Sequence, residues 1–188
     1  MRVFIAIDLP DDIRTQLKDM QRVLRPLTTV ARWVAPESIH ITLKFLGEVP
    51  EKRIGQIDAA LASLTWKPFT IAVHGVGFFP GARSPRVFWV GMDAPTMQGL
   101  TEELDARMEP LGFEREKRTF RPHITLARAK ASRLDAALVT ASATFAERNF
   151  GSFTAHRINL IQSTLKPTGA VYSTIKEYSL EPRSLSAG

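Results

Sequence analysis

Cysteine is absent from this 188-residue chain. Its absence excludes disulfides, a thiolate nucleophile and any cysteine-ligated zinc or iron–sulfur centre. Long hydrophobic runs are missing too. The opening "MRVFIAIDLPDD" holds only five consecutive apolar residues, Val3 to Ile7, before Asp8. That is too short for a signal-peptide core or a membrane span, and it reads as a first strand. A cytoplasmic protein without membrane contact is the expectation. There is no low-complexity segment and no short-period repeat. Histidine is scarce: only four occur, at positions 40, 74, 123 and 156.

What is present is ordinary in bulk. Hydrophobic residues make up 44% and charged residues 23%, the balance of a globular protein able to bury a core. The length suits one domain or two small lobes. The net charge of +6 makes a polyanionic partner plausible. The charge is not spread evenly. Between Arg115 and Arg133 lie seven basic residues (Arg115, Lys117, Arg118, Arg121, Arg128, Lys130, Arg133) against the single acid Glu116. A solvated loop is the ordinary reading of such a run, but this one surrounds His123.

Hydrophobic periodicity alternates strands and helices. Strands are expected at 2–8, 32–35, 39–46 (closed by Gly47), 69–79, 86–92, 120–128, 154–165 and 170–180. Helices are expected from Asp11 or Asp12, as cap, to Leu24, and over 51–64, 95–109 and 132–147. Each half offers strands, two helices and one copy of a repeated word. The pattern suggests an α+β protein of two similar lobes, related by a pseudo-twofold axis.

That repeated word is HITL, at His40–Leu43 and again at His123–Leu126. On a strand, Ile41 and Leu43 share one face, and His40, Thr42 and Lys44 share the other. Ile124 and Leu126 likewise oppose His123 and Thr125. One such strand alone would be plain half-buried packing. Two of four histidines opening the same four letters is far beyond chance for this composition. Two imidazoles suit proton transfer near neutral pH, one as general acid and one as general base. Threonine hydroxyls can donate to phosphate oxygens, with nearby Arg or Lys offsetting their charge. Zinc ordinarily takes three or four protein ligands, and neither word contains a carboxylate, so no metal or other cofactor is expected.

The paired H-x-T-hydrophobic words resemble those of the two-histidine phosphoesterases. The phrases "RVFIAIDLP", "RWVAPESIHITLKFLGEV", "FRPHITLAR" and "STLKPTGAVYSTI" are similar, in that order, to the RNA 2′,3′-cyclic phosphodiesterases, also called 2′-5′ RNA ligases. The resemblance spans nearly the whole chain. It implies a single bilobal domain over 1–188, with an antiparallel sheet and helices in each lobe and both words in a central cleft. It implies hydrolysis of a 2′,3′-cyclic phosphate at an RNA end to a 2′-phosphomonoester. His40 would be the proton donor and His123 the proton acceptor, an assignment the sequence alone leaves open. Thr42, Thr125 and Arg128 would hold the phosphate. Strict alternation points Arg128 away from His123, so a bulge, a twist or the strand's end has to intervene.

Lys44 and Ser163 are weaker phosphate-site candidates, and Tyr172 reads as packing. Trp33, Phe45 and Trp89 can stack a terminal base or simply pack. His74 and His156, outside any motif, read as structural. Two other functions stay open. The same site run in reverse would join a 2′,3′-cyclic end to a 5′-hydroxyl, and a non-catalytic RNA-end binder would use only the basic window. The expected partner is RNA with a cyclic phosphate end, bound by a monomer with no obligate protein partner.

Overall fold

The computed structural model describes residues 1–166 and 169–180. Nine strands and four α-helices run in the order β1 (Arg2–Asp8), α1 (Asp11–Leu24), β2 (Ala31–Trp33), β3 (His40–Glu48), α2 (Ile54–Ala62), β4 (Phe69–Phe79), β5 (Val87–Asp93), α3 (Thr96–Met108), β6 (His123–Ala129), α4 (Ala136–Ser142), β7 (Asn149–Ala155), β8 (Arg157–Lys166) and β9 (Gly169–Ser179). They form two antiparallel sheets, ordered β3-β1-β8-β9 and β2-β6-β5-β4-β7.

Most elements fall where periodicity places them. The differences are local. Pro10, not an aspartate, is the N-cap residue of α1; Asp11 and Asp12 sit in its first turn, where their charge favours the helix dipole. The strand expected at 39–46 continues through Gly47, whose φ of 71° lies in the left-handed region. The strand expected from Phe120 begins at His123, after Pro122. The helix expected over 132–147 shrinks to α4, and the residues just before 154 form β7, a strand that glycine and asparagine had masked.

The lobes are not the two halves of the sequence. The first sheet takes β1 and β3 from the N-terminal half and β8 and β9 from the C-terminal part; the second takes β2 and then β4 to β7. The helices cross as well. α1 follows β1 of the first sheet yet packs against β7 of the second, and α3 follows β5 of the second yet packs against β3 of the first. One continuous cluster of buried side chains therefore runs through both sheets, from Val3 and Ile41 to Ile124 and Phe150. The two sheets also touch through β3 and β6, the two HITL strands.

The pairing shows the pseudo-symmetry directly. β3 lies antiparallel on β1 as β6 lies on β5. Opposite His40 stands Asp8, and opposite His123 stands Gly91. Opposite Thr42 stands Ala6, and opposite Thr125 stands Trp89. In both pairs the register slips just after the second apolar residue of the word, at Leu43 and at Leu126.

Candidate active site

That slip is a β-bulge, and it decides which side chains share the site face. After Leu43 the strand gains one residue. Lys44 then lies opposite Ile5, and Phe45 opposite Phe4. Phe4, Ala6 and Asp8 share a face of β1, so His40, Thr42 and Phe45 share the matching face of β3. Lys44 is turned to the other side. It is buried, its ammonium paired with Asp105 of α3 and donating to the Glu114 carbonyl at 2.8 Å. The expectation that Lys44 faces phosphate is thereby corrected: it is a structural ion pair that ties β3 to α3.

The same bulge rescues Arg128. With the slip at Leu126, Arg128 stands opposite Val87, and Val87, Trp89 and Gly91 share one face of β5. Arg128 therefore joins His123 and Thr125, and it is exposed there. Arg32 of β2 is its cross-strand neighbour. Phe45 and Arg128 thus occupy equivalent places after the two words.

Each imidazole is set in the same way. His40 Nδ1 lies 2.7 Å from the Ser38 carbonyl, and His123 Nδ1 lies 2.7 Å from the Arg121 carbonyl. A carbonyl only accepts, so Nδ1 carries the hydrogen in both rings. Nε2 is left as the working nitrogen: an acceptor in the neutral ring, a donor in the cation. Aromatic side chains hold the rings from the side. His40 stacks on Phe4 at 4.7 Å between centroids and meets Tyr172 edge-on at 5.1 Å. His123 meets Phe79 edge-on at 5.0 Å. Burial pushes both imidazoles below their ordinary range. For His40 the Ser38 bond and the Asp8 carboxylate oppose that shift, while Arg14 adds to it. For His123 the Arg121 bond opposes it and Arg128 adds to it.

Ser163 and Tyr172 are opposite each other on β8 and β9, and Ser163 is opposite Arg2 of β1. Both therefore belong to the face of His40. Tyr172 is packing, as expected: its phenol ring meets Phe4 edge-on at 5.2 Å and His40 edge-on at 5.1 Å. Burial pushes that phenol up. Trp89 lies on the site face, flat over Gly77 and Gly91; a Cβ at Gly77 would come within 2.3 Å of its ring, and one at Gly91 within 3.3 Å. Trp33 packs instead against Phe88, which is wholly buried, on the opposite side. His74 and His156 are exposed.

Helix α1 braces both words, a role its sequence did not advertise. Arg14 donates to the Pro36, Ile39 and Leu9 carbonyls at 2.9, 2.8 and 3.2 Å, and so clamps the turn that delivers His40. Gln21, buried on the apolar side of the helix, donates to the Val34 and Leu126 carbonyls at 2.9 and 3.3 Å. A polar residue at an apolar helical position was the available signal. Among the described residues no group of three or more His, Asp or Glu side chains is placed to hold a metal ion. No helix among them is long and apolar enough to cross a membrane.

Two antiparallel lobes, each presenting one H-x-T strand at their contact, define the two-histidine class of phosphoesterases. Comparison with known proteins agrees. The family model described as LigT like Phosphoesterase matches residues 7–89 and again residues 90–172. The chain belongs to that family. It is 35% identical over 179 residues to the RNA 2′,3′-cyclic phosphodiesterase of Archaeoglobus fulgidus, covering 95% of this chain and 99% of that one. It is 34% identical to the protein of the same name from Thermotoga maritima, covering 96% of each. Among solved structures, TT0787 of Thermus thermophilus superposes with a TM-score of 0.81 at 33% identity, over 98% of this chain and 100% of that one. E. coli LigT complexed with 3′-AMP gives 0.77 at 27% identity, over 95% and 97%.

Proposed function

We propose that this protein hydrolyses 2′,3′-cyclic phosphates at RNA ends to 2′-phosphomonoesters, with residues 1–188 acting as one bilobal domain. The observation that carries the reading is the matched setting of His40 and His123. Both offer Nε2, both are fixed through Nδ1, and they stand on equivalent strands where the sheets meet. One phosphorus between two such nitrogens suits an in-line displacement.

His123 is the proton acceptor. Its Nε2 takes a proton from water as the water oxygen bonds to phosphorus. The bond from phosphorus to the 3′ oxygen breaks, and His40 Nε2 protonates that oxygen. The phosphate stays on the 2′ oxygen. Thr42 and Thr125 donate to the non-bridging oxygens, and Arg128 offsets their charge. Ser163 borders the same face. Phe45, two-thirds exposed beside Phe4, offers a stacking surface to the terminal base. The chemistry needs no cofactor. The reading includes a cytoplasmic monomer whose partner is RNA. The test is RNA bearing a 2′,3′-cyclic phosphate, incubated with the protein in EDTA, with the product mapped. A 2′-phosphate is expected. A 3′-phosphate product overturns the assignment of donor and acceptor, and RNA bound without turnover makes the protein an RNA-end binder.

A further inference from the structure

The two words are equivalent in register, and so are the strands beside them, but the positions opposite the two histidines differ in charge. Opposite His40 the partner strand carries Asp8; opposite His123 it carries Gly91. The carboxylate is not left loose. Asn159 of β8 donates from Nδ2 to Asp8 Oδ2 at 2.6 Å. Asn159 is wholly buried, and its Oδ1 meets no hydrogen-bond partner among the described residues. What it does is hold one carboxylate beside one histidine.

We infer that Asp8, held by Asn159, is a positioning residue that keeps His40 in its proton-donating form. The inference rests on the proposed reading of His40 as the general acid. Charged and titratable groups from three elements act on His40. Burial, the largest effect, and Arg14 from α1 favour the neutral ring, whereas the bond to the Ser38 carbonyl and the Asp8 carboxylate from β1 favour the cation. Tyr172 from β9 contacts the ring edge and is neutral, since burial keeps its phenol up. Asp8 is the carboxylate that opposes burial and Arg14 at this ring. His123 has Arg128 beside it and glycine where Asp8 would be, which suits an acceptor. Asp8 beside His40 and Arg128 beside His123 thus draw a near-symmetrical pair of histidines apart, toward donor and acceptor.

The test follows the imidazoles themselves. Histidine-selective NMR titrations of wild type, Asp8→Asn, Asp8→Glu and Asn159→Leu are run, with His40 assigned from His40→Ala. In Asp8→Asn the His40 midpoint falls by about 0.5–1 pH unit and the His123 midpoint stays. Asp8→Glu restores most of the shift, and Asn159→Leu moves His40 the same way by less. The alkaline limb of kcat on a cyclic-phosphate RNA moves to lower pH by the same amount in Asp8→Asn. An unmoved His40 midpoint in folded Asp8→Asn overturns the inference, as does a turnover loss equal at every pH. If wild type turns nothing over, the proposed function fails while the titration still judges Asp8.

Discussion

Arg128 stands in β6 where Phe45 stands in β3, each brought to the histidine face by a bulge two residues earlier. The duplicated framework therefore offers two unlike groups at equivalent places: a guanidinium beside His123 and an exposed ring beside His40. Charge on one side and a stacking surface on the other is an economical way to hold a nucleotide end whose phosphate and base differ in chemistry.

Alanine at either histidine tests the core of the proposal. His40→Ala and His123→Ala each lower kcat on a 2′,3′-cyclic-phosphate RNA by about 10²–10⁴-fold, with unchanged far-UV circular dichroism. Full activity in both variants would end the two-histidine mechanism.

Arg128 and Phe45 part along different observables. Arg128→Ala lowers kcat/KM by about 10²-fold and weakens the salt dependence of RNA binding. Phe45→Ala raises KM by the loss of about 1–3 kcal/mol of stacking, with kcat kept. Because Phe45 is 67% exposed, its removal leaves the melting temperature near wild type.

Lys44 separates the bulged strand from a regular one. Its side chain is 7% exposed and that of Asp105 is 15% exposed. Lys44→Met strands the Asp105 carboxylate and costs about 3–5 kcal/mol in urea unfolding, while the double variant Lys44→Met, Asp105→Leu recovers most of it. At temperatures where each is folded, both keep near wild-type KM for RNA. A KM raised tenfold with unchanged stability would put Lys44 back at the phosphate.

Gly77 has no room for a side chain, because its Cβ would meet the Trp89 ring at 2.3 Å. Gly77→Ala pushes that ring off its seat beside Phe79, which holds the edge of His123. The expected cost is about 1–3 kcal/mol, read from chemical unfolding, with a loss of turnover larger than the stability change explains.

Both imidazoles titrate below the ordinary histidine value when folded, chiefly through burial. The unfolded chain takes these protons first, at about pH 6.5. Stability is therefore full above that value and falls as the pH drops from about 6.5 through the lower folded midpoints. On the proposed reading inorganic phosphate sits between the rings, favours their cations and flattens the decline. Unfolding free energies measured across pH 5–8, with and without phosphate, check both signs. A stability that rises on acidification through that window would contradict the burial of the two rings.

The sequence by itself determined the chemistry on offer. HITL written twice names two histidines and two threonines, and its alternating apolar letters place Ile41, Leu43, Ile124 and Leu126 in the core, where all four are buried. The basic window around His123 and most strands and helices were legible for the same reason, since each depends on local spacing. What the tertiary structure alone decided is which residues join those four. A bulge is a property of two paired strands, so alternation counted along one strand assigned Lys44 to the site and turned Arg128 away, and the pairing reversed both. Asp8 and Tyr172 reach His40, and Asn159 reaches Asp8, from strands distant in the chain, and Arg14 and Gln21 reach the two words from a helix. The crossed helices, too, follow from long-range burial: α1 and α3 each pack on the sheet of the other lobe, and no local pattern records which sheet that is.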